Sequence, residues 1–230
     1  MKLILTRPMG DALPLARKLE ERGHETIMAP LLKIEAHDSV ILPDKNYQAI
    51  CITSANAFVS LELFGARQNL PLYCVGPQSA ETARRAAFTD VRERGGNVHG
   101  LAEAISHELR VTNGPLLYLS GQETSGNLQG LLAAQGFEVD RIVIYDAVPL
   151  ALKLSQTELS QADGVLLYSP RSARLWVEAL AGRKVRHGFM YFCLSKNVAR
   201  NLPLGSRIRI ARQPDEDHML SLLDKAGEAE

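Results

Sequence analysis

The stretch Ala162-Asp163-Gly164-Val165-Leu166-Leu167-Tyr168-Ser169-Pro170-Arg171-Ser172 gives the clearest structural signal in this 230-residue chain. A short apolar run stops at a serine and a helical pattern follows at once, which is typical of a buried strand that turns directly into a helix. The stretch Tyr47-Gln48-Ala49-Ile50-Cys51-Ile52-Thr53-Ser54-Ala55-Asn56-Ala57 has the same design, about half a chain length earlier. The chain therefore contains one strand-to-helix turn twice.

Two further pairs of segments echo each other at similar separations. Residues 3–7 parallel residues 116–120, and residues 72–76 parallel residues 191–195. Small differences in separation are what loop insertions produce in two copies of one ancestral unit. The repeat is too long for a solenoid, so we predict two sister domains. Chance similarity between ordinary βα units is the alternative.

The composition is that of a folded protein without a dominant charge. Hydrophobic residues make up 46% and charged residues 23% of the chain, and 26 Lys and Arg balance 26 Asp and Glu. The chain as a whole therefore has no electrostatic field that would favour nucleic acid or an anionic membrane as a partner.

The three cysteines lack metal-ligand spacing, which favours core packing in a reducing compartment over a catalytic thiol. With no signal peptide and no apolar stretch of about 20 residues, we predict a cytoplasmic protein.

Short apolar runs alternate with helical patterns along the whole chain, which predicts βα units and parallel sheets. The runs span residues 3–6, 50–53, 72–75, 116–119, 165–168, 190–194 and 208–211. Two longer extended stretches, residues 26–36 and 138–149, break this alternation. If both link the same two domains, the amino-terminal βα unit packs with the carboxy-terminal half and the middle of the chain is an inserted domain.

The residues after these strands are suited to binding an anion. In an open parallel sheet, strand ends and helix amino ends face one crevice, where backbone N–H groups and helix dipoles attract negative charge. Helix capping alone is the alternative for any single serine. The predicted binding residues are Thr6, Arg7, Pro8, Ser54, Ala55, Asn56, Gly76, Gln78, Ser120, Gly121, Tyr168, Ser169, Pro170, Arg171, Ser172, Ser195 and Lys196.

The standard motifs of several enzyme classes are absent or incomplete in this sequence. Residues 121–128 have the glycine spacing of a phosphate loop, but Asn127 replaces its lysine and Leu128 its hydroxyl residue. No G-x-S-x-G elbow and no G-x-G-x-x-G after a strand occurs. The six histidines are scattered without ligand spacing, so we predict no metal site.

In their order and spacing, these segments resemble the uroporphyrinogen-III synthase family. The resemblance covers nearly the whole chain, although Ser195 stands where a glycine is common in the family. The segments that carry it are Leu5-Thr6-Arg7-Pro8, Thr53-Ser54-Ala55-Asn56-Ala57, Val75-Gly76, Leu119-Ser120-Gly121, Val143-Ile144-Tyr145, Tyr168-Ser169-Pro170-Arg171-Ser172 and Cys193-Leu194-Ser195 with Val198-Ala199.

The resemblance implies an α/β fold with two flavodoxin-like domains, each with a parallel sheet, joined by a two-stranded connector. The first domain is expected to comprise residues 1–34 plus 149–230, and the second residues 35–148. The expected activity is that of a cyclising hydro-lyase without a cofactor. Hydroxymethylbilane would lose water and close to uroporphyrinogen III while its last pyrrole ring, ring D, is inverted.

The resemblance also assigns roles to residues. It places Tyr145 beside the cleft, where its phenol, with a reference pKa of about 10, would stay protonated at neutral pH and help the leaving hydroxyl. Packing within the connector is the alternative role. Arg7, Arg171 and Lys196 are candidate partners for the eight substrate carboxylates, and each could instead be a solvated loop residue.

Two expectations about partners complete the interpretation. The substrate is expected to come from hydroxymethylbilane synthase, and the lack of coiled-coil heptads gives no reason to expect an oligomer, so we take a monomer as the default. The alternative function is a non-enzymatic two-domain binding protein for a small anionic ligand, since the sequence has no catalytic triad, metal motif or nucleotide loop.

Overall fold

The computed structural model describes residues 1–224, apart from the side chain of Ala66. Its eleven strands are β1 (Lys2–Leu5), β2 (Glu25–Met28), β3 (Leu32–Ala36), β4 (Ala49–Ile52), β5 (Leu72–Cys74), β6 (Val91–Glu93), β7 (Leu116–Gly121), β8 (Val139–Pro149), β9 (Gly164–Leu167), β10 (Met190–Cys193) and β11 (Arg207–Ile210). Its eight α-helices are α1 (Met9–Glu20), α2 (Pro77–Arg85), α3 (Val98–Glu108), α4 (Leu128–Ala134), α5 (Gln156–Gln161), α6 (Pro170–Ala179), α7 (Lys196–Ala199) and α8 (Glu216–Asp224).

The chain folds into two compact units. Unit 1 comprises Met1–Lys33 and the chain from Val148 onward, and unit 2 comprises Ile34–Ala147. Unit 1 has a five-stranded sheet in the order β11-β10-β9-β1-β2, with all neighbouring strands parallel. Counted along the unit's own chain this is the order 2-1-3-4-5, which is that of flavodoxin.

Unit 2 has a six-stranded sheet in the order β3-β8-β7-β4-β5-β6. The neighbours from β8 to β6 are parallel. His37 N donates to Ile144 O, and Leu150 N donates to Leu31 O. The pairing runs from 31 with 150 to 37 with 144, so β3 is antiparallel to β8. The boundary between the units falls inside both strands, which form the two-stranded connector expected from the resemblance.

The repeat in the sequence has a structural counterpart. The strands that match in sequence are β1 with β7, β4 with β9 and β5 with β10, and the members of each pair occupy equivalent places in the two sheets. Apart from the additional edge strand β3, the sheet of unit 2 therefore has the strand arrangement of unit 1, but the chain begins it at a different strand. Each unit combines strands from the first half of the chain with strands from the second half.

The central strands of both sheets are covered on both faces, as continuous apolar runs predict. Every residue of β4 and of β9 is buried, and Leu3, Ile4 and Leu5 of β1 have no exposed surface. Each sheet lies between two apolar clusters. The sheets are thus rigid platforms for the turns at their strand ends.

Two elements differ from the expected pattern. The extended stretch 26–36 is interrupted at residues 29–31, so it forms two strands that belong to different sheets. After β4 the chain forms a 3-10 helix, Ala55–Leu63, where the sequence pattern predicts an α-helix. This helix is kinked at Ser60 (φ −113°, ψ 60°), whose hydroxyl donates to the carbonyl oxygen of Ile144.

Candidate active site

The predicted binding residues of unit 1 lie at the carboxyl ends of three adjacent strands. Thr6, Arg7 and Pro8 follow β1, residues 168–172 follow β9, and Ser195 with Lys196 follow β10. The sheet order places these strands side by side and parallel, so the structure brings all of these residues to one edge of the sheet.

Unit 2 has the corresponding arrangement. Residues 54–56 follow β4, Gly76 and Gln78 follow β5, and Ser120 and Gly121 end β7. These strands are also neighbours, in the order β7-β4-β5. Tyr145 lies on β8, the other neighbour of β7, so it belongs to the same edge.

Three of the predicted serines are helix caps. The Ser54 hydroxyl oxygen accepts from Asn56 N at 3.2 Å, that of Ser169 from Ser172 N at 3.0 Å, and that of Ser195 from Val198 N at 3.4 Å. Each cap ties the strand end to the helix that follows. The serines therefore have a structural role in addition to any contact with a ligand.

Thr6 and Arg7 are held by other parts of unit 1. The Thr6 side chain is fully buried and donates to the Leu166 carbonyl at 3.0 Å, which joins β1 to β9. Arg7 binds Asp11 at 3.1 Å and Glu216 at 3.2 Å, so its charge is already balanced by carboxylates of α1 and α8.

The Arg7 guanidinium also lies over the Tyr168 ring, 4.5 Å from its centroid. Burial raises the pKa of Tyr168, and the nearby Arg7 charge offsets this only in part. The Tyr168 phenol is therefore neutral at physiological pH.

Tyr145 is placed by a β-bulge. Ser120 pairs with Val143, but the next residue, Gly121, pairs with Tyr145, so Ile144 is one extra residue on β8. Gly121 lies directly against the Tyr145 ring: a Cβ added to this glycine would be 2.6 Å from ring atom Cε2 and 3.1 Å from the phenol oxygen. The phenol is therefore packed beside the end of β7.

Sequence reasoning missed Arg141, which lies four residues before Tyr145 on β8. Its Nε donates to Ser120 Oγ at 2.9 Å, and its Nη2 donates to the carbonyls of Gly121 at 2.9 Å and Gln122 at 3.0 Å. These described bonds all go to uncharged oxygens. The only signal in the sequence is one arginine beside the apolar residues 142–144, and nothing there indicates that its side chain reaches the end of the neighbouring strand.

The three cysteines are buried, and burial raises the pKa of Cys51 and Cys193 to about 12 and that of Cys74 to about 11. Each is a thiol at neutral pH and a poor nucleophile. Within residues 1–224, no group of three or more His, Cys, Asp or Glu side chains is arranged to hold a metal ion. None of the described helices is long and apolar enough to cross a membrane.

Comparison with known proteins decides the family. A family model described as uroporphyrinogen-III synthase HemD matches residues 14–221. The chain belongs to the uroporphyrinogen-III synthase family. The family's activity makes it an enzyme of porphyrin and haem biosynthesis that acts on a small tetrapyrrole substrate, and nothing in the comparisons favours a non-enzymatic binding protein.

Solved structures show the same fold. Uroporphyrinogen-III synthetase from Helicobacter pylori 26695 is similar with a TM-score of 0.64 at 19% identity, over 98% of this chain and 99% of that chain. A mutant uroporphyrinogen III synthase from Thermus thermophilus is similar with a TM-score of 0.51 at 13% identity, over 100% of both chains. The comparison with curated proteins found no match.

Proposed function

We propose that this enzyme is a cyclising hydro-lyase that converts hydroxymethylbilane to uroporphyrinogen III. The C–O bond of the terminal hydroxymethyl group breaks, water leaves, and the pyrrole nitrogen stabilises the resulting cation. The already substituted carbon of ring D then attacks this cationic methylene carbon, which gives a spirocyclic intermediate. The bond from that ring carbon to its original methylene bridge breaks, the freed methylene carbon bonds to the unsubstituted carbon of ring D, and loss of the proton from that carbon leaves ring D inverted. The observation that carries the proposal is the family match over residues 14–221.

The strand-end turns of the two units are the proposed binding sites for the substrate carboxylates. Two features support this: the turns gather at one edge of each sheet, and serine caps fix the first turn of the following helix. Backbone N–H groups and helix amino ends bind carboxylates well, and holding a flexible substrate in a folded form lowers the entropy cost of ring closure. The proposed contacts are those predicted from the sequence: Thr6, Arg7, Pro8, Ser54, Ala55, Asn56, Gly76, Gln78, Ser120, Gly121, Tyr168, Ser169, Pro170, Arg171, Ser172, Ser195 and Lys196.

For Thr6 and Arg7 the proposed contacts are restricted by their neighbours. The Thr6 hydroxyl is committed to the Leu166 carbonyl, so only its backbone is a candidate. Arg7 already has two carboxylate partners and would have to share its charge with the substrate. Lys196 is exposed at the start of α7 and is the stronger candidate for an ion pair with the substrate.

Tyr145 is the proposed hydrogen-bond donor to the leaving hydroxyl. Its ring packs beside Gly121, at the strand end where the predicted binding residues of unit 2 gather. A phenol O–H is a hydrogen-bond donor, so it can donate to the departing oxygen. Side chains in such roles contribute about 10²- to 10⁴-fold to the rate.

Further parts of the proposal concern the whole protein. We take residues 1–34 plus 149–230 and residues 35–148 as its two domains, and the bounds of the two compact units support this division. We also propose a cytoplasmic monomer that receives hydroxymethylbilane from hydroxymethylbilane synthase. Direct supply is advantageous because the free substrate also closes without rearrangement.

The test is to incubate the purified protein with freshly generated hydroxymethylbilane, oxidise the products to porphyrins and separate the isomers by chromatography. The type III isomer is expected in excess over a heat-denatured sample, which yields the unrearranged type I isomer. A product of type I alone would overturn the proposal. Gel filtration at several protein concentrations tests the monomer separately.

A further inference from the structure

The β-bulge determines which way the Tyr145 side chain points. Side chains alternate between the two faces of a regular strand, so Ile144 and Tyr145 would lie on opposite faces. Because Ile144 is the extra residue, both side chains instead join one apolar cluster together with Leu117 and Leu119. A bulge of this kind re-aims a side chain. The position of the phenol therefore depends on how firmly the bulge is held.

Arg141 binds the strand end that faces this bulge. Its three hydrogen bonds reach Ser120, Gly121 and Gln122, which are consecutive residues at the end of β7. Gln122 N in turn donates to Tyr145 O at 3.1 Å. The Arg141 guanidinium and this backbone bond therefore both tie the end of β7 to β8. Hydrogen bonds from a charged donor are stronger than those between neutral groups.

The environment of Arg141 differs from that of Arg7. Arg7 is balanced by two carboxylates, whereas the described bonds of Arg141 go to one hydroxyl and two carbonyls. The fork of a guanidinium can serve the hydroxyl and the carbonyls at once, and a lysine ammonium lacks that rigid geometry. The side chain of Arg141 is therefore matched in shape to the strand end.

We propose that Arg141 is a positioning residue for the cyclisation, a role that rests on the proposed function of Tyr145. Its guanidinium fixes the end of β7 through hydrogen bonds, and the fixed strand end holds the Tyr145 ring beside Gly121. Without these hydrogen bonds the backbone at the bulge can shift, and the phenol moves away from the leaving hydroxyl. Loss of water then slows, so more of the substrate escapes and closes without rearrangement.

The first test compares Arg141→Gln with Arg92→Gln. Arg92 lies on β6, at the far edge of the same sheet, where it binds Asp90 at 2.8 Å and Glu108 at 3.2 Å. Both variants are expected to lower the melting temperature. Only Arg141→Gln is expected to lower kcat, by about tenfold or more, with KM within twofold and a larger type I fraction. Arg141→Lys, which keeps the charge, is expected to fold and to recover only part of kcat.

An unchanged kcat in Arg141→Gln would overturn the proposal. So would a rise in KM alone, because that result would indicate a direct contact with a substrate carboxylate. If Arg141→Gln does not fold, Arg141→Lys decides between the same outcomes.

The second test is a double-mutant cycle with Tyr145→Phe. If Arg141 acts through Tyr145, the double variant is expected to be no more than about twofold slower than the slower single variant. If the kcat losses of the two single variants multiply in the double variant, the proposal is overturned.

The possible failures can be told apart. Wild-type protein without type III product rejects the enzyme function, and an unaffected Tyr145→Phe rejects the role of Tyr145. A slow Tyr145→Phe with a normal Arg141→Gln rejects this inference alone.

Discussion

Gly121 lacks a side chain at a point where the ring of Tyr145 occupies the space that one would fill. A Cβ on Gly121 would lie 2.6 Å from Cε2 and 2.8 Å from Cζ of that ring, well inside van der Waals contact. The φ angle of Gly121 is not in the left-handed region, so the ring is the obstacle to a larger residue and the backbone is not.

Gly121→Ala is therefore expected to push the Tyr145 ring out of place. We expect kcat to fall by about tenfold or more and the overpacked site to cost about 1–3 kcal/mol of unfolding free energy. Gly10→Ala is the control, because a Cβ there meets nothing within 4 Å and alanine favours the helix. Urea unfolding and steady-state kinetics measure both quantities. Normal kinetics in Gly121→Ala would show that the ring position does not matter.

Tyr145→Phe is expected to lower kcat by at least tenfold while the protein stays folded, since only the phenol oxygen is removed. Tyr47→Phe is a matched control in the same unit: its phenol donates to Asp140 at 2.7 Å, and its loss should cost about 1–2 kcal/mol of stability. We expect Tyr47→Phe to keep a normal kcat. Kinetics identical to wild type in Tyr145→Phe would remove this residue from the chemistry.

Ser169→Asp separates capping from substrate binding. Aspartate caps a helix as well as serine does and suits the positive end of the dipole, so the melting temperature should be kept. Its negative charge should repel the substrate carboxylates and raise KM several-fold, with a smaller effect at high salt. Ser169→Ala should instead lose the 3.0 Å bond from Ser172 N and about 1 kcal/mol of stability. A normal KM in Ser169→Asp would place the substrate away from this turn.

Two of the candidate cations of unit 1, Arg7 and Lys196, are expected to respond differently to substitution. Arg7→Gln breaks two ion pairs and the contact with Tyr168, so it should lower the unfolding free energy by about 1–3 kcal/mol and raise KM less than Lys196→Gln does, because the Arg7 charge is already shared with Asp11 and Glu216. Lys196→Gln should leave stability unchanged and raise KM several-fold, because the exposed ammonium is proposed to bind substrate. The reverse pattern would assign the substrate carboxylate to Arg7.

Stability should decrease in alkaline solution because of the buried thiols. The pKa of Cys51 is raised from 9.0 to about 12, so the unfolded chain loses this proton at lower pH than the folded protein does. The stabilisation that the protonated thiol gives to the folded state is complete below pH 9 and is lost as pH rises from there towards 12. The unfolding free energy has then fallen by about 2 kcal/mol per thiol at pH 10.5. Melting temperatures between pH 8 and 10.5 test this. Cys51→Ala should show a shallower decline, and an identical slope would contradict the assignment.

Much of the fold is predictable from the sequence because the central strands are continuous runs of apolar residues. Gly164–Leu167 and Ala49–Ile52 are buried on every residue, and such runs are expected only where helices cover both faces. The turn residues could be predicted to gather for the same reason, since neighbouring parallel strands end at one edge. The helix after Ser54 could not be assigned as 3-10, because it kinks at Ser60, whose hydroxyl bonds to the distant Ile144, and no local pattern reports such a contact.

The site was less predictable than the fold. The position of Tyr145 depends on a one-residue bulge, and neither Ile144 nor its neighbours mark a bulge in the sequence. The bonds of Arg141 join residues about 20 positions apart, and no periodicity reports such a contact. Sequence patterns reveal which residues end a strand, but they do not reveal how far a long side chain reaches along its neighbour.

The exchange of strands between the two halves of the chain has a consequence for synthesis on the ribosome. Unit 2 is encoded without interruption by Ile34–Ala147, so all strands of its sheet are translated before β9, β10 and β11. Strand β1, made first, lies in the finished sheet between β2 and β9. Strand β1, with its apolar residues Leu3, Ile4 and Leu5, can therefore pair with β2 early but lacks its second neighbour β9 until most of the described chain has been made. Exposed apolar strands of this kind are prone to aggregation and are the segments that chaperones protect.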